Sequence, residues 1–291
     1  MKGIILAGGK GSRLYPTTKI ITKSLLPIYN KPMIFYPLST LMLSGIKDIL
    51  IISSPNHIDK FKKLLGNGKE YGIKLSYKTQ DKPEGIAQAF IIAEEFIGND
   101  DVCLILGDNI FYGKILPSIL LNTKKYIEDN NESIIFGYYV NDPERYGVIE
   151  FNNNDEITSI VEKPSNPKSN YAVVGLYYYK NDVVNIAKQI KPSKRGELEI
   201  TDVNLEFLRQ KRLKANIFDA VFWLDTGTHE SLTEASNFIK TIEEREGKRV
   251  SCIEEIAYKY KYINKVGLKK IIDYYNNDYG NYLKRLLNDN N

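Results

Sequence analysis

The sequence has few of the residues that mark redox, zinc or triad chemistry. It contains two cysteines, Cys103 and Cys252, and two histidines, His57 and His229, in a chain of 291 residues. Two distant cysteines form neither a disulfide framework nor a zinc-ligand cluster, and this usage is typical of a reducing cytoplasm. Neither histidine lies beside an evident catalytic partner. We therefore expect a cytoplasmic protein without a catalytic triad or a zinc site.

The sequence also lacks long apolar runs and an excess of one charge. No segment approaches the roughly 20 apolar residues of a membrane span, and glycine interrupts the short N-terminal apolar run. The chain has 40 Lys and Arg against 36 Asp and Glu, and the basic residues mostly alternate with acidic ones. Nucleic-acid-binding proteins usually concentrate their positive charge in a stripe. We expect neither a membrane nor a nucleic acid as partner.

Short apolar runs alternate with amphipathic segments in the first half of the chain. Strands are predicted at residues 3–7, 48–53, 74–79, 101–108 and 133–140, and helices at residues 31–45, 57–66 and 84–97. Buried strands separated by helices predict an α/β fold with parallel strands and crossover helices.

The pattern changes in the second half. Residues 146–164 read as a strand, a polar turn and a strand, which predicts a hairpin. Further strands are predicted at residues 172–180 and, as a single strand, within 215–227, and the chain is then helical to its end. The predicted organisation is a mixed-sheet core over residues 1–228 and a helical region over residues 229–291.

A glycine-rich loop, LAGGKGSRLYP at residues 6–16, follows the first predicted strand. It is no dinucleotide fingerprint, because Leu14 stands where the third glycine belongs, and it is no Walker A loop, because Gly11 separates Lys10 from Ser12. Glycines let backbone N–H groups face an anion, and Arg13 adds a fork of donors suited to phosphate oxygens. We predict a polyphosphate site; the alternative is a tight turn without a ligand.

Two aspartates follow apolar strands, Asp108 in LILGDN and Asp225 in FWLDTGT. Ligands of open α/β sheets lie beyond the carboxyl ends of the strands. Mg²⁺ commonly binds through one or two carboxylates together with substrate phosphates. Either aspartate alone would be interpreted as a turn or capping residue, but the pair beside a phosphate loop predicts a magnesium site.

Two further segments carry candidate anion ligands. In the EKP segment Lys163 could hold a phosphate and Glu162 could accept sugar hydroxyls, although a surface charge pair is the simpler interpretation. Arg195 lies in a glycine-bearing loop and is either a second anion ligand or a solvated charge. Because no protein base is evident, the residues favour phosphoryl or nucleotidyl transfer, which depends on positioning and charge neutralisation.

Several long motifs carry a family resemblance. The segments LAGGKGSRLYPTT, KSLLPIYNKPMIFYPLSTLMLSGI, ILGDNIFYG, DPERYGVIEF, EKPSNPKSNYAVVGLYYY, RGELEITDVN and WLDTGTHESL resemble the glucose-1-phosphate thymidylyltransferase branch of the sugar nucleotidyltransferases, over nearly the whole chain. The resemblance implies a Rossmann-like nucleotidyltransferase fold. It also implies a single in-line displacement with Mg²⁺, in which glucose 1-phosphate attacks the α-phosphorus of dTTP to give dTDP-glucose and diphosphate.

The resemblance implies roles for the matching positions. The triphosphate loop corresponds to Gly8, Gly9, Gly11, Ser12 and Arg13, with Lys23 near the phosphates, and the thymine-reading loop to Gln80, Pro83 and Gly85. The metal ligands correspond to Asp108 and Asp225. The sugar pocket corresponds to Asn109, Tyr146, Gly147, Glu162, Val173 and Tyr177, and the sugar-phosphate clamp to Lys163 and Arg195.

Two positions depart from the family pattern. Ser24 stands where glutamine is usual, and we expect a shortened polar contact near the nucleotide. Val174 stands where threonine is frequent, and we expect one hydroxyl fewer near the glucose pocket.

The segment at residues 247–263 also resembles the family, and this implies a homotetramer with a second, inhibitory nucleotide-sugar site at a subunit interface. Three other functions stay open: a uridylyltransferase, distinguished by the loop around Gln80; a metal-dependent glycosyltransferase, disfavoured by the Arg13 loop; and a non-catalytic nucleotide sensor.

Overall fold

The computed structural model describes residues 1–288. Its strands are β1 (Lys2–Leu6), β2 (Pro27–Ile28), β3 (Lys31–Pro32), β4 (Asp48–Ser53), β5 (Lys74–Thr79), β6 (Val102–Leu106), β7 (Asn109–Tyr112), β8 (Ser133–Tyr139), β9 (Gly147–Phe151), β10 (Ile157–Glu162), β11 (Tyr171–Tyr179), β12 (Leu213–Ile217) and β13 (Phe222–Asp225). Its α-helices are α1 (Phe35–Leu43), α2 (Pro55–Leu65), α3 (Gln88–Ile92), α4 (Glu94–Ile97), α5 (Leu116–Asp129), α6 (Val183–Gln189), α7 (Ile200–Arg209), α8 (His229–Glu246), α9 (Ile253–Lys259), α10 (Lys265–Ile272) and α11 (Asp278–Asn288).

A nine-stranded mixed sheet runs through the molecule. Strands β5, β4, β1 and β6 are parallel neighbours, and β11 joins β6 antiparallel. Strand β11 also pairs with β8 and β9, and the predicted hairpin of β9 and β10 completes that edge. The α/β mixed-sheet prediction is confirmed.

Burial of side chains on both faces explains why these strands form one central layer. In β1 and β4, Ile5 and Ile51 belong to one hydrophobic cluster, whereas Ile4 and Leu50 belong to another. Successive side chains of a strand point to opposite faces, so a run of aliphatic residues fills the core on both sides of a sheet. Cys103 is buried within β6.

Three predicted elements were wrong in detail. Residues 31–45 do not form one helix, because β2 and β3 make a short hairpin before α1 begins. Residues 84–97 contain two short helices, α3 and α4, instead of one. The strand predicted within 215–227 is two strands, because β12 joins the large sheet while β13 pairs with β7 in a separate ribbon.

The C-terminal helices pack on the core. Side chains of α9, α10 and α11 share a hydrophobic cluster with α1 and β1, and α8 contacts β2 and β13. The boundary at residue 228 therefore stays a prediction, and residues 289–291 of the predicted helical region lie outside the described residues. Among residues 1–288, no helix has the length and apolar character needed to cross a membrane.

Candidate active site

The parallel strands bring three predicted segments to one edge of the sheet. Register pairs the last residue of β1, Leu6, with β4 and with β6, so these strands end together. Gly8 follows β1, Gln80 follows β5 and Asp108 follows β6. The backbone N–H of Gln80 donates to Ser53 at 2.8 Å, which ties the end of β5 to that of β4. This is the edge at which α/β sheets bind ligands.

Two adjoining pockets open at this edge. The small pocket has a volume of about 230 Å³ and is lined by Leu6, Gly8, Gly9, Lys23, Ser24, Gln80, Pro83, Gly85, Ile86, Leu106, Asp108 and Glu197. It therefore brings together the predicted thymine-reading residues, Lys23 and two glycines of the loop. Ser24 lies here as expected, while the effect of its short side chain stays a prediction.

The large pocket has a volume of about 580 Å³. Eleven predicted residues line it: Arg13, Asp108, Asn109, Tyr146, Gly147, Glu162, Lys163, Val173, Tyr177, Arg195 and Asp225. Ile86, Leu106, Asp108 and Glu197 line both pockets. The two pockets are therefore halves of one cleft that meet at Asp108.

The glycine loop divides between the two halves. Gly8 and Gly9 line the small pocket and Arg13 lines the large one, whereas Gly11 and Ser12 line neither. Gly9 and Gly11 have φ of 103° and 57°, in the region that favours glycine. Within residues 1–288 Arg13 makes no ion pair, so its donors are available at the mouth of the cleft.

Asp108 is held by groups from both sides. Its Oδ2 lies 2.5 Å from Lys23 Nζ, and its Oδ1 accepts a hydrogen bond from Asn109 Nδ2 at 2.8 Å. Burial favours the neutral carboxyl, but the Lys23 ammonium and these hydrogen bonds outweigh it and hold the pKa of Asp108 below its usual range. Asp108 is therefore a carboxylate at neutral pH.

Asp225 is less well neutralised. Strand β13 places it opposite Asn109 in β7, and its Oδ2 lies 3.9 Å from Arg145 Nη2. Burial and then the charge of Asp108 raise the pKa of Asp225, and Lys23, Arg13 and Arg145 only partly offset them. Two neighbouring carboxylates with incomplete compensation favour a cation between them, and carboxylate oxygen is the ligand type that Mg²⁺ prefers. The donor set thus fits the expected ion.

Asn109 forms three hydrogen bonds that hold the walls of the cleft together. Its Oδ1 accepts hydrogen bonds from the backbone N–H of Gly175 at 3.0 Å and from Trp223 Nε1 at 2.7 Å. Its amide nitrogen donates to Asp108. Because the oxygen already accepts two hydrogen bonds, Asn109 fixes the walls of the pocket, and one N–H of its amide is left to donate to a ligand.

The sugar-side charges are paired with one another. Arg195 Nη2 lies 2.8 Å from Glu199 Oε2 and 3.3 Å from Glu162 Oε1. The other oxygen of Glu162 accepts a hydrogen bond from Thr201 Oγ1 at 2.7 Å. Lys163 follows β10 with φ of 44°, an unusual backbone conformation for a lysine, and its Nζ is 3.8 Å from Glu162.

Nine lining residues of the large pocket were not assigned from the sequence, including four that contact predicted site residues: Arg145, Glu199, Thr201 and Trp223. Three stand in the quoted motifs PERYGV and RGELEITD, so the motifs themselves contained the signal. Trp223 is the only tryptophan and precedes Asp225 by two residues on a strand, a spacing that puts both on one face.

The expectation for Val174 is wrong. Its side chain is fully buried in the hydrophobic cluster behind β11, whereas Val173 and Tyr177 line the large pocket. No hydroxyl is missing from the sugar side at this position.

The comparisons with known proteins agree with this geometry. The family described as "Nucleotidyl transferase" matches residues 2–242. The chain belongs to the nucleotidyl transferase family. Within that family, it is 52% identical to a glucose-1-phosphate thymidylyltransferase of Neisseria meningitidis, covering 99% of both chains. A protein of the same name from Mycobacterium tuberculosis is 49% identical, covering 100% of both. The predicted resemblance is confirmed.

Solved nucleotidyltransferase structures share the fold. A putative glucose-1-phosphate thymidylyltransferase from Bacillus anthracis, solved in complex with a sucrose, has a TM-score of 0.75 and 44% identity, covering 82% of this chain and 94% of that one. A UDP-glucose pyrophosphorylase complexed with UDP-glucose has a TM-score of 0.74 and 30% identity, covering 83% and 98%.

Proposed function

We propose that this nucleotidyltransferase transfers a thymidylyl group from dTTP to α-D-glucose 1-phosphate and releases dTDP-glucose and diphosphate. The observation that carries the proposal is the meeting of the two pockets at Asp108: a small pocket with a buried amide and a glycine loop joins a large pocket rich in charged and hydroxyl-bearing groups. The names of the relatives at about 50% identity support the choice of substrates.

In the proposed reaction, a phosphate oxygen of glucose 1-phosphate forms a bond to the α-phosphorus of dTTP while the bond to diphosphate breaks. Gln80 reads the base, and the backbone of Gly8 and Gly9 lies against the nucleotide. Lys163 and Arg195 hold the sugar phosphate, which lets two anions approach. Arg13 stabilises the charge that builds on the departing diphosphate.

Mg²⁺ is proposed as the cofactor, held by Asp108 and Asp225. When bound, it would neutralise phosphate charge in the transition state. Lys23 would then have two partners. Its ammonium lies against Asp108 and lines the small pocket, so it can also donate to a phosphate oxygen of the nucleotide.

The sugar pocket is proposed to comprise Tyr146, Gly147, Glu162, Val173 and Tyr177 around Asn109. The resemblance further supports a cytoplasmic homotetramer with an inhibitory nucleotide-sugar site in the C-terminal region beyond residue 228. Sedimentation at several protein concentrations, with and without dTDP-sugar, tests that assembly.

The deciding experiment measures diphosphate release from glucose 1-phosphate and Mg²⁺ with dTTP and with UTP, separately and in competition. We expect preference for dTTP, and loss of release in Asp108→Ala and after chelation of Mg²⁺. Comparable use of UTP would widen the assignment to an enzyme that accepts both thymine and uracil nucleotides. No release with either nucleotide would contradict the enzyme assignment and favour a nucleotide sensor.

A further inference from the structure

A series of hydrogen bonds connects the Glu84 carboxylate at the surface, through the amide of Gln88, to the amide of Gln80 in the small pocket. Gln80 is 4% exposed at the end of β5, and its Nε2 donates to Gln88 Oε1 at 2.6 Å. The Nε2 of Gln88 donates to Glu84 Oε2 at 2.8 Å. The backbone N–H of Glu84 also donates to Gln88 Oε1, at 3.2 Å.

The direction of this series follows from its outer end. An ionised carboxylate only accepts hydrogen bonds, so the group of Gln88 that meets Glu84 must be its NH₂. The Oε1 of Gln88 then faces Gln80 and the Glu84 N–H, and both contacts need an acceptor there. Gln80 must consequently present its NH₂ to Gln88. This network leaves one consistent orientation for both amides.

The same logic fixes what Gln80 offers to a ligand. Its Oε1 lies against Gly8, where a Cβ placed on that glycine would come within 2.5 Å of it. In the part of the chain that the structure describes, no protein donor is bonded to this oxygen. Gln80 therefore presents one acceptor and one remaining N–H donor in a fixed order.

This order discriminates between pyrimidines. Thymine and uracil carry an N3–H donor beside a carbonyl acceptor, whereas cytosine carries an N3 acceptor beside an amino donor. A glutamine amide can pair with either edge, but only after a flip that exchanges its oxygen and nitrogen. Thymine and uracil are not separated by it.

We propose that Gln88, anchored by Glu84, is a positioning residue that locks the Gln80 amide in one orientation and so makes the small pocket reject cytosine nucleotides. The inference rests on the proposed function, in which Gln80 reads the base. Gln88 lines neither pocket and acts only through Gln80.

The test compares kcat/KM for dTTP and dCTP, each with glucose 1-phosphate and Mg²⁺. Gln88→Leu removes the acceptor that Gln80 needs, and we expect the dTTP:dCTP ratio to fall by about tenfold or more, because one hydrogen bond is worth about that factor. The change should appear in KM with kcat nearly constant, since the base lies away from the reacting phosphorus. Gln210→Leu, which also removes an amide bonded to a helical glutamate, is the matched control.

A surface substitution tests the anchor without disturbing the core. Glu84 is exposed, and Glu84→Gln supplies a group that can donate or accept, so Gln88 and then Gln80 can flip. We expect a reduced ratio here too, with no change in Glu95→Gln, an exposed glutamate of α4. In Glu84→Gln/Gln88→Glu the new carboxylate accepts from both neighbours, and the ratio should return toward that of the parent chain.

The outcomes separate the two claims. If the parent chain prefers dTTP over dCTP and both Gln88→Leu and Glu84→Gln retain the full ratio, the positioning role is overturned while the proposed function stands. Loss of activity toward dTTP and dCTP in equal proportion also overturns it, because that indicates a structural role alone. If the parent chain releases no diphosphate from dTTP, both claims fail. A lowered ratio that the double variant restores supports the inference.

Discussion

The two halves of the cleft are lined by side chains of different chemistry. The small pocket is lined mainly by glycines, aliphatic side chains and one oriented amide, together with Ser24, Lys23, Asp108 and Glu197. The large pocket contains four cations, Arg13, Arg145, Lys163 and Arg195, among several carboxylates. In the first half a neutral hydrogen-bond pattern can select a base. In the large pocket, the charged side chains can bind a charged substrate.

The difference extends to how each half is held before substrates bind. Gln80 is fixed by Gln88 in one orientation, so little reorganisation is needed when a base enters. Arg195 is instead bonded to Glu199 and Glu162, and a sugar phosphate would have to draw on donors that carboxylates already share. We infer that the nucleotide half is preorganised and the sugar half exchanges partners.

The largest expected effect comes from the residue that both halves share. Asp108→Asn removes a charge from the proposed metal site and leaves the Lys23 ammonium without its carboxylate. We expect kcat/KM to fall by roughly 10³-fold or more, since charge stabilisation by a bound ion is worth several kcal/mol. Mn²⁺ titration followed by electron paramagnetic resonance should show weakened binding. Asp219→Asn, an exposed aspartate, is the control, and an equal loss there would point to instability instead.

A substitution on the sugar side should affect one substrate only. Arg195→Met removes a proposed clamp on the sugar phosphate and takes from Glu199 its arginine partner, so we expect KM for glucose 1-phosphate to rise about 10–100-fold, as for a lost charge-assisted hydrogen bond. Calorimetric affinity for dTTP should change little. Arg209→Met, which breaks a surface pair with Glu206, serves as control. Equal weakening of both substrates would contradict the division of the cleft.

The converse change lies on the nucleotide side. A Cβ in Gly8→Ala would stand 2.5 Å from Gln80 Oε1, so the amide must move. We expect KM for dTTP to rise about tenfold, the value of one displaced hydrogen bond, with KM for glucose 1-phosphate unchanged. In a Gln80→Ala background the same substitution should have no further effect, which a double-mutant cycle measures. An additive cost would show that Gly8 acts on the backbone of the loop and not through the amide.

The sequence predicted which residues line the cleft better than it predicted the hydrogen bonds between them. Strand ends and glycine placement located Gly8 and Asp108, because the edge of a parallel sheet follows from strand order. Asp225 also ends a strand, but β13 belongs to the separate antiparallel ribbon with β7. The hydrogen bonds from Glu84 through Gln88 to Gln80 join residues four and eight positions apart in a loop and a short helix, and neither helical period nor motif distinguishes such contacts. The ribbon of β7 and β13 was missed because a long-range antiparallel pair has no local signal.

The roles of Asn109 and Val174 show the same limit. A motif names a position, but which way its side chain points depends on pairing. The side-chain oxygen of Asn109 accepts from Gly175 and Trp223, and Val174 faces away from the pocket that its neighbour Val173 lines.

The smallest effect on catalysis tests that last point. Val174→Thr introduces the hydroxyl that the family resemblance led us to expect, and if the large pocket were its neighbour, this hydroxyl would improve sugar binding. Because Val174 is fully buried among apolar side chains, we expect unchanged KM for glucose 1-phosphate and a loss of about 1–3 kcal/mol in the free energy of unfolding, the cost of burying an unpaired hydroxyl. Urea unfolding measures it, with Val161→Thr on the exposed face of β10 as control. A lowered KM for glucose 1-phosphate would contradict the placement of Val174 on the core face of β11 and would put its side chain on the pocket face instead.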